Sequence, residues 1–200
     1  EQYMPRARPL RDGRRVVWEA CHTLSGSWGY HRDEDTWKST EQLVQMLVGT
    51  VAMGGNLLMN VGPTARGTLD HRAIAALAAY EEWMALHQRS IVGCTQSDFT
   101  APADCRLTQN GDRLYIHLFN WPYRHLHFDA LAGKIEYAQF LHDGSEVTWL
   151  RPSANTLWAN TQFPVGEDQL TFVLPVRRPQ IVVPVIEVKL KPGSAAGIQD

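Results

Sequence analysis

Apolar positions recur at helical spacing twice between Ser39 and Arg89, separated by one unbroken apolar run. Beyond about Cys105 they alternate in short segments punctuated by turn residues. The first helix is predicted to start at Ser39-Thr40-Glu41-Gln42, because a Ser hydroxyl can accept from the amide three residues on while Gln42 reaches back. Leu43, Val44, Leu47, Val48 and Val51 then share one face, and Gly54-Gly55 supplies the left-handed residue that stops the helix after about fourteen residues. The run Asn56 to Val61, closed by Gly62-Pro63, predicts a strand covered on both faces, as in a parallel sheet. A second helix is predicted from about Asp70 to about Arg89, with Ile74, Leu77, Ala78, Trp83 and Leu86 as its buried stripe. Upstream, Val16-Val17-Trp18-Glu19-Ala20 is apolar and β-branched and predicts another strand. About ninety residues therefore hold two or three βα units.

After a loop from Ser97 to Asp104 the pattern becomes all-β. Asn110-Gly111-Asp112 precedes Leu114 to Phe119 as a hairpin signal, and Ile135 to Leu141 runs into Asp143-Gly144-Ser145 before Val147-Thr148-Trp149. With Gln169 to Leu174 and Ile181 to Leu190, about seven strands are expected, which argues for an antiparallel β-sandwich. Pro184 demotes the middle of the last run to an edge or a bulge, and the small polar tail from Pro192 is expected to be disordered.

Composition narrows the function classes. The 200 residues carry 19 Lys+Arg and 21 Asp+Glu, a formal charge of -2, and the cations are scattered, so no footprint for nucleic-acid phosphates exists. Nothing approaches the roughly 18 consecutive apolar residues of a membrane span, and the first residues carry no signal peptide, so no membrane partner is expected. The 44% hydrophobic share supports a packed core, and three scattered cysteines cannot make a disulfide framework.

The densest cluster of aromatic and polar side chains runs from Trp18 to Lys38 and holds Trp18, Trp28 and Trp37. An acidic residue at the end of a parallel strand, followed by an irregular aromatic loop, is the layout of a barrel active site, which singles out Glu19. Trp rings stack on the apolar C–H faces of sugars while carboxylates and amides take the hydroxyls. The competing reading gives Glu19 a structural ion pair and puts the Trp rings in the core.

Trp18-Glu19-Ala20-Cys21-His22-Thr23, Ser27-Trp28-Gly29-Tyr30, Trp37-Lys38-Ser39-Thr40 and Gly54 to Thr64 resemble, in order, the motifs of the α-L-fucosidases of glycoside hydrolase family 29. The resemblance continues through Gly67-Thr68 to Ser90-Ile91-Val92-Gly93-Cys94-Thr95. His22 stands where that family commonly has Met, and Arg66 where an acidic residue is frequent. The resemblance implies an α/β plus all-β chain: the last βα units of a (β/α)8-like barrel over residues 1–96, an antiparallel β-sandwich over 97–192 and a flexible tail over 193–200. It implies an exo-acting, retaining hydrolase of terminal α-linked L-fucose, with Glu19 as general acid/base. The nucleophile Asp that the mechanism also needs, and the family's sugar-contacting His and Arg residues, are expected outside the chain, since a complete barrel takes about 250 residues.

Trp37 matches an aromatic that packs against the sugar, and Trp28 and Tyr30 join it as substrate-binding candidates, with loop packing as their other reading. Asn56 and Asn60 read as amides that satisfy loop backbone, Cys21 as small and inert, and His125-Leu126-His127 as surface histidines lacking a third metal ligand. No metal or organic cofactor is implied, because a carboxylate pair suffices. The expected partners are a fucosylated oligosaccharide or glycoprotein glycan and the N-terminal barrel segment, and the family's habit points to secretion or the periplasm. Trp37-Lys38-Ser39 and the Trp-Glu-Ala-Cys block lean towards relatives that act on branched α-1,3/1,4-fucosides. Two alternatives stand beside the enzyme: a non-catalytic carbohydrate-binding sandwich using Trp121, Tyr123, Trp149 and Trp158, and an inactive structural remnant.

Overall fold

The computed structural model describes residues 5, 7–151 and 166–195. Trp158, residues 1–4 and the tail residues 196–200 lie outside the described residues. The chain divides into two compact units, Glu1–Gln96 and Ser97–Gln199.

The first unit opens with a hairpin, β1 (Leu10–Arg11) and β2 (Arg14–Arg15), turned by Asp12 and Gly13 at φ of 52° and 74°. Two positive φ values in a two-residue loop match the right-handed twist of the flanking strands. β3 (Trp18–Thr23) pairs in parallel with β4 (Gly55–Asn60), and α1 (Thr40–Ala52) connects them. The capping box at Ser39 is formed: Gln42 N–H donates to Ser39 Oγ at 3.2 Å and Ser39 N–H to Gln42 Oε1 at 2.8 Å. Such a cap stabilises a helix by roughly 1 kcal/mol. Gly54, at φ 73°, turns the chain from α1 into β4. Trp18 lies over Gly55, where any side chain would meet the indole, and its Nε1 donates to Met53 O at 3.0 Å, fastening β3 to the end of α1. α2 (His71–His87), capped by the Asp70 carboxylate, continues into a 3-10 turn at Gln88–Ser90 and a two-residue strand, β5 (Thr95–Gln96).

Three local expectations change. β3 begins two residues later than the apolar run and continues to Thr23, because His22 and Thr23 pair with Met59 and Asn60. β4 is covered on one face only, leaving Asn56 and Leu58 exposed. On α2 the buried residues are Ala73, Trp83 and His87, whereas Ile74 is 55% exposed and Leu77, Ala78 and Leu86 are exposed as well. Packing against Leu24 and Leu43 selects the Ala73-Ala76-Tyr80 edge of this helix rather than its bulkier face.

The second unit consists of two antiparallel sheets. β6 (Cys105–Asn110), β7 (Arg113–Leu118), β12 (Val185–Leu190) and β9 (Ile135–Phe140) run side by side in that order. β10 (Trp149–Leu150), β11 (Leu170–Val173) and β8 (His125–Phe128) form the other sheet. Ile116, Val188 and Phe140 of the first meet Leu126, Phe128 and Phe172 of the second in one shared core. Each such side chain contributes about 1.5–3 kcal/mol on burial. β12 is an interior strand, not an edge, because it starts at Val185: Pro184 stands just before it, where no ladder N–H is required and its carbonyl still accepts from Leu118.

Candidate functional site at the carboxyl end of the parallel pair

Parallel partners point to the same side, so Glu19, Cys21 and Thr23 share a face with Asn56, Leu58 and Asn60. Glu19 and Asn56 are exposed there, and Leu58 is 51% exposed. Trp18 and His22 point the other way, towards α1. Glu19 is the second residue of β3, four positions before its last. At about 3.3 Å of rise per residue this puts it roughly 13 Å below the carboxyl end, where barrel enzymes build their sites. The expected strand-end position of Glu19 is thus corrected: the strand runs on past it, and Glu19 lines neither cavity described below.

The carboxyl end is occupied by residues 24–38, folded back on β3. Lys38 carries the return: its N–H donates to Leu24 O at 3.0 Å, and its Nζ to Thr23 O at 2.8 Å and Ser25 O at 2.7 Å. Buried Glu34 is the organising carboxylate. It accepts from the hydroxyls of Ser27 and Thr36, and from Thr36 N–H at 2.8 Å. These donors, Ser27 first, favour its ionised form and hold it down to about 2. A carboxylate so committed is a structural anchor, not a proton donor at neutral pH.

Arg72, at the start of α2, grips the same loop from below. Its guanidinium lies 4.8 Å over the Trp37 ring and donates to Glu34 O at 2.6 Å, and it is fixed in turn by Asp70 at 2.9 Å. Trp37 therefore has one face under a guanidinium, its Nε1 donated to Glu34 O at 3.2 Å, and its remainder packed against Leu24, Leu43 and Ala73. That is a packed wedge. Asn60, from β4, donates its side-chain amide to Trp28 O, which is the loop-backbone role expected of it. Gly62 passes so close beneath the loop that a Cβ there would lie 2.6 Å from Tyr30 N.

Two cavities result. One, about 20 Å³, is lined by Thr23, Ser27, Tyr30, Glu34, Trp37 and Asn60, and has room for a single water. The other, about 200 Å³, is lined by His22, Thr23, Ser25, Trp28, Lys38 and Met46, with Gly26 at its margin. Tyr30 and Trp37 thus meet in the small cavity, and Trp28 stands at the large one. The sequence signals picked out the aromatics but not the roles of Glu34, Lys38 or Arg72, whose partners are the loop hydroxyls of Ser27 and Thr36, the carbonyls of Thr23 and Ser25, and Asp70 with the Glu34 carbonyl.

In the second unit, Trp121 donates to Pro175 O and stacks on Phe140 with ring centres 6.1 Å apart, and Trp149 packs on the core. Among the described aromatics of the alternative glycan surface only Tyr123, 78% exposed, stands clear of the sheets. His127 pairs with Thr171 at 2.8 Å, and among the described residues no group of three or more His, Cys, Asp or Glu side chains converges as a metal site.

Residues 2–89 match the family model described as Alpha-L-fucosidase. The plasma alpha-L-fucosidase of Homo sapiens is 31% identical over 150 residues, which is 69% of this chain and 32% of that protein. An alpha-L-fucosidase of Dictyostelium discoideum is 37% identical over 78 residues, 38% of this chain and 17% of that one. Alpha-L-fucosidase isoenzyme 1 from Paenibacillus thiaminolyticus superposes with a TM-score of 0.85 at 32% identity, covering 95% of this chain and 44% of its own. A GH29 alpha-L-fucosidase from Bacteroides thetaiotaomicron, trapped as a covalent intermediate in complex with 2-fluoro-fucosyl fluoride, gives 0.75 at 25% identity, covering 92% and 42%. The chain spans about a third of the human relative's length and less than half of either solved structure.

Proposed function

The chain belongs to the α-L-fucosidase family of glycoside hydrolases, and from that premise we propose that it works as part of an exo-acting, retaining enzyme that removes terminal α-linked L-fucose from glycans. The observation that carries this is the parallel β3-α1-β4 unit with the Ser25–Lys38 loop folded over its carboxyl end, in a chain that follows a fucosidase structure over 95% of its length. In this reading the first unit is the last part of a (β/α)8-like barrel, and the exposed face bearing Glu19, Asn56 and Leu58 is barrel interior that the remaining strands cover. The second unit is a β-sandwich that follows the barrel.

Retaining hydrolysis needs two carboxyl groups about 5 to 5.5 Å apart, one protonating the leaving oxygen and the other forming the glycosyl intermediate. The trapped intermediate of the Bacteroides relative supports that double displacement here. Glu34 is ionised and tied into the loop, so it serves neither step. The motif favours Glu19 as acid/base, but its depth in the strand favours a place on the barrel floor. Both working carboxyls then come from residues outside those described, and this segment supplies a wall of the sugar site through its Trp28–Trp37 loop.

The full-length protein is expected to release 4-nitrophenol from its α-L-fucoside, with α-L-fucose as the first anomer seen by NMR. No release overturns the fucosidase reading, and a first-formed β anomer overturns retention. Glu19→Gln is expected to lower kcat/KM on a fucosylated lactose, whose sugar leaving group needs a proton, by less than about tenfold, and azide is expected not to raise its kcat on the aryl fucoside. A fall of about 10² to 10⁴, the usual worth of a general acid/base, with azide rescue would return Glu19 to that role.

A further inference from the structure

The three-stranded sheet of the second unit ends, where β8 begins and β11 stops, in an exposed ledge that the sandwich core does not use. Leu174 N–H donates to Arg124 O at 2.8 Å, so the two strands stay paired past their ladders. That register continues with Tyr123 opposite Pro175 and Val176 beside it. Trp121 fixes the same stretch: its Nε1 donates to Pro175 O at 3.2 Å and its ring stacks on Phe140. On this anchored backbone Tyr123 is 78% exposed and Val176 51%. An aromatic side chain carried by a fixed backbone loses little entropy when a ligand covers it.

The ledge is cationic. Arg124 and Arg177 are exposed on it, and the segments that build it lie within residues 113–128 and 169–186, which contain no Asp or Glu. Among the described residues no ion pair joins either arginine to a carboxylate. Tyr123, His125 and His127 alternate along the chain, so their rings share one side of it, with the two imidazole centres 6.4 Å apart. Burial, and then the charges of Arg124 and His127, lower the His125 pKa, so the field of Arg124 reaches this row of rings while His125 itself is neutral at pH 7. Such a surface fits a saccharide that carries acid groups. The C–H face of a pyranose stacks on the tyrosine, a neutral imidazole takes a hydroxyl, and a guanidinium holds a carboxylate with two parallel N–H···O bonds. An acidic peptide would satisfy the arginines, but it brings no flat apolar face with each carboxylate for the tyrosine ring to cover.

We propose that this end of the sandwich is a binding surface for acidic saccharides, chains of pyranoses bearing carboxylates, with Tyr123 as its platform and Arg124 and Arg177 as its carboxylate ligands. Neither fucose nor a catalytic group enters this recognition, so it stands or falls independently of the fucosidase reading.

The test is binding of oligogalacturonides, chains of galacturonic acid, to the full-length protein, followed by calorimetry and by the imidazole NMR signals of His125. Binding is expected, with a shift of the His125 signals. The methyl-esterified oligomers keep the rings and lose the charges, and oligo-glutamate of matching charge lacks the rings; each is expected to bind at least about tenfold more weakly. Arg124→Gln, Arg177→Gln and Tyr123→Ala remove exposed side chains, and each is expected to weaken oligogalacturonide binding about tenfold while leaving kcat/KM on 4-nitrophenyl α-L-fucoside unchanged. Oligogalacturonide that does not bind, that binds all three variants as tightly as the parent, or that leaves the His125 signals unmoved overturns the surface. Equal binding of the methyl esters overturns the part given to the arginines, and equal binding of oligo-glutamate overturns the saccharide in favour of an acidic peptide. Fucoside cleavage without saccharide binding removes this surface alone, and binding that depends on Tyr123 and the arginines without cleavage removes the fucosidase alone.

Discussion

The carboxylate of Glu34 accepts from the Ser27 hydroxyl and from both the hydroxyl and the amide of Thr36, and every one of these bonds favours the charged form. Its folded pKa of about 2 lies below its ordinary value of 4.5, so the stability it contributes is present above about 4.5 and is lost as the pH falls towards 2. Melting temperature is therefore expected to fall across that window and to do so less steeply in Glu34→Gln, whose side chain does not titrate. A Gln variant with the parent's acid slope would remove Glu34 as its source. None of this could be read from spacing: Ser27 and Thr36 are unremarkable beside Glu34 until the loop folds back on itself. Trp37 had two readings, sugar contact and core, and spacing could not choose between them: its partly buried ring lies under the Arg72 guanidinium and packs on the Leu24–Leu43–Ala73 cluster.

At the scale of elements, α1 was legible to its cap because its determinants are local: Ser39 and Gln42 bond across three residues, and Gly54 closes the far end. The buried face of α2 was legible only at Trp83, because local periodicity also favours Ile74, Leu77 and Leu86 while the contact with Leu24 and Leu43 uses Ala73, Ala76 and Tyr80. At its first turns the small Ala73 and Ala76 allow the close approach, and tertiary packing decides the face. The same helix does its second job through Arg72, which joins Asp70 to the backbone of Glu34 and the ring of Trp37. A planar guanidinium makes these contacts at once and an ammonium cannot. Arg72→Met, and also Arg72→Lys, should leave α2 formed but loosen residues 32–37. Faster amide hydrogen exchange and faster proteolysis confined to that loop are the expected signs, and parent-like protection in both variants would show that the clamp is dispensable.

The two units of the whole molecule differ in how much apolar surface each keeps to itself. In the second, short apolar segments between turn residues made β7, β9, β11 and β12 legible but not β6 or β8, and Leu107, Ile116, Phe172 and Val188 close a core with almost no exposure. In the first, Val17, Leu58, Ile74, Leu77 and Leu86 remain exposed, and its described cluster around Leu24, Leu43 and Ala73 is small. Hydrophobic burial is the dominant favourable term, so the unit that buries less should open first. For residues 1–200 alone, urea is expected to produce two transitions, with amides of β3, β4 and α1 exchanging in the first and those of β7 and β12 holding until the second. 8-Anilinonaphthalene-1-sulfonate should bind this chain before denaturant is added and bind the full-length protein less, since strands that complete the barrel would cover Leu58 and its neighbours. A single coincident transition by exchange and fluorescence, with no dye bound, would mean that the first unit is self-sufficient and that its exposed face is not barrel interior awaiting other strands.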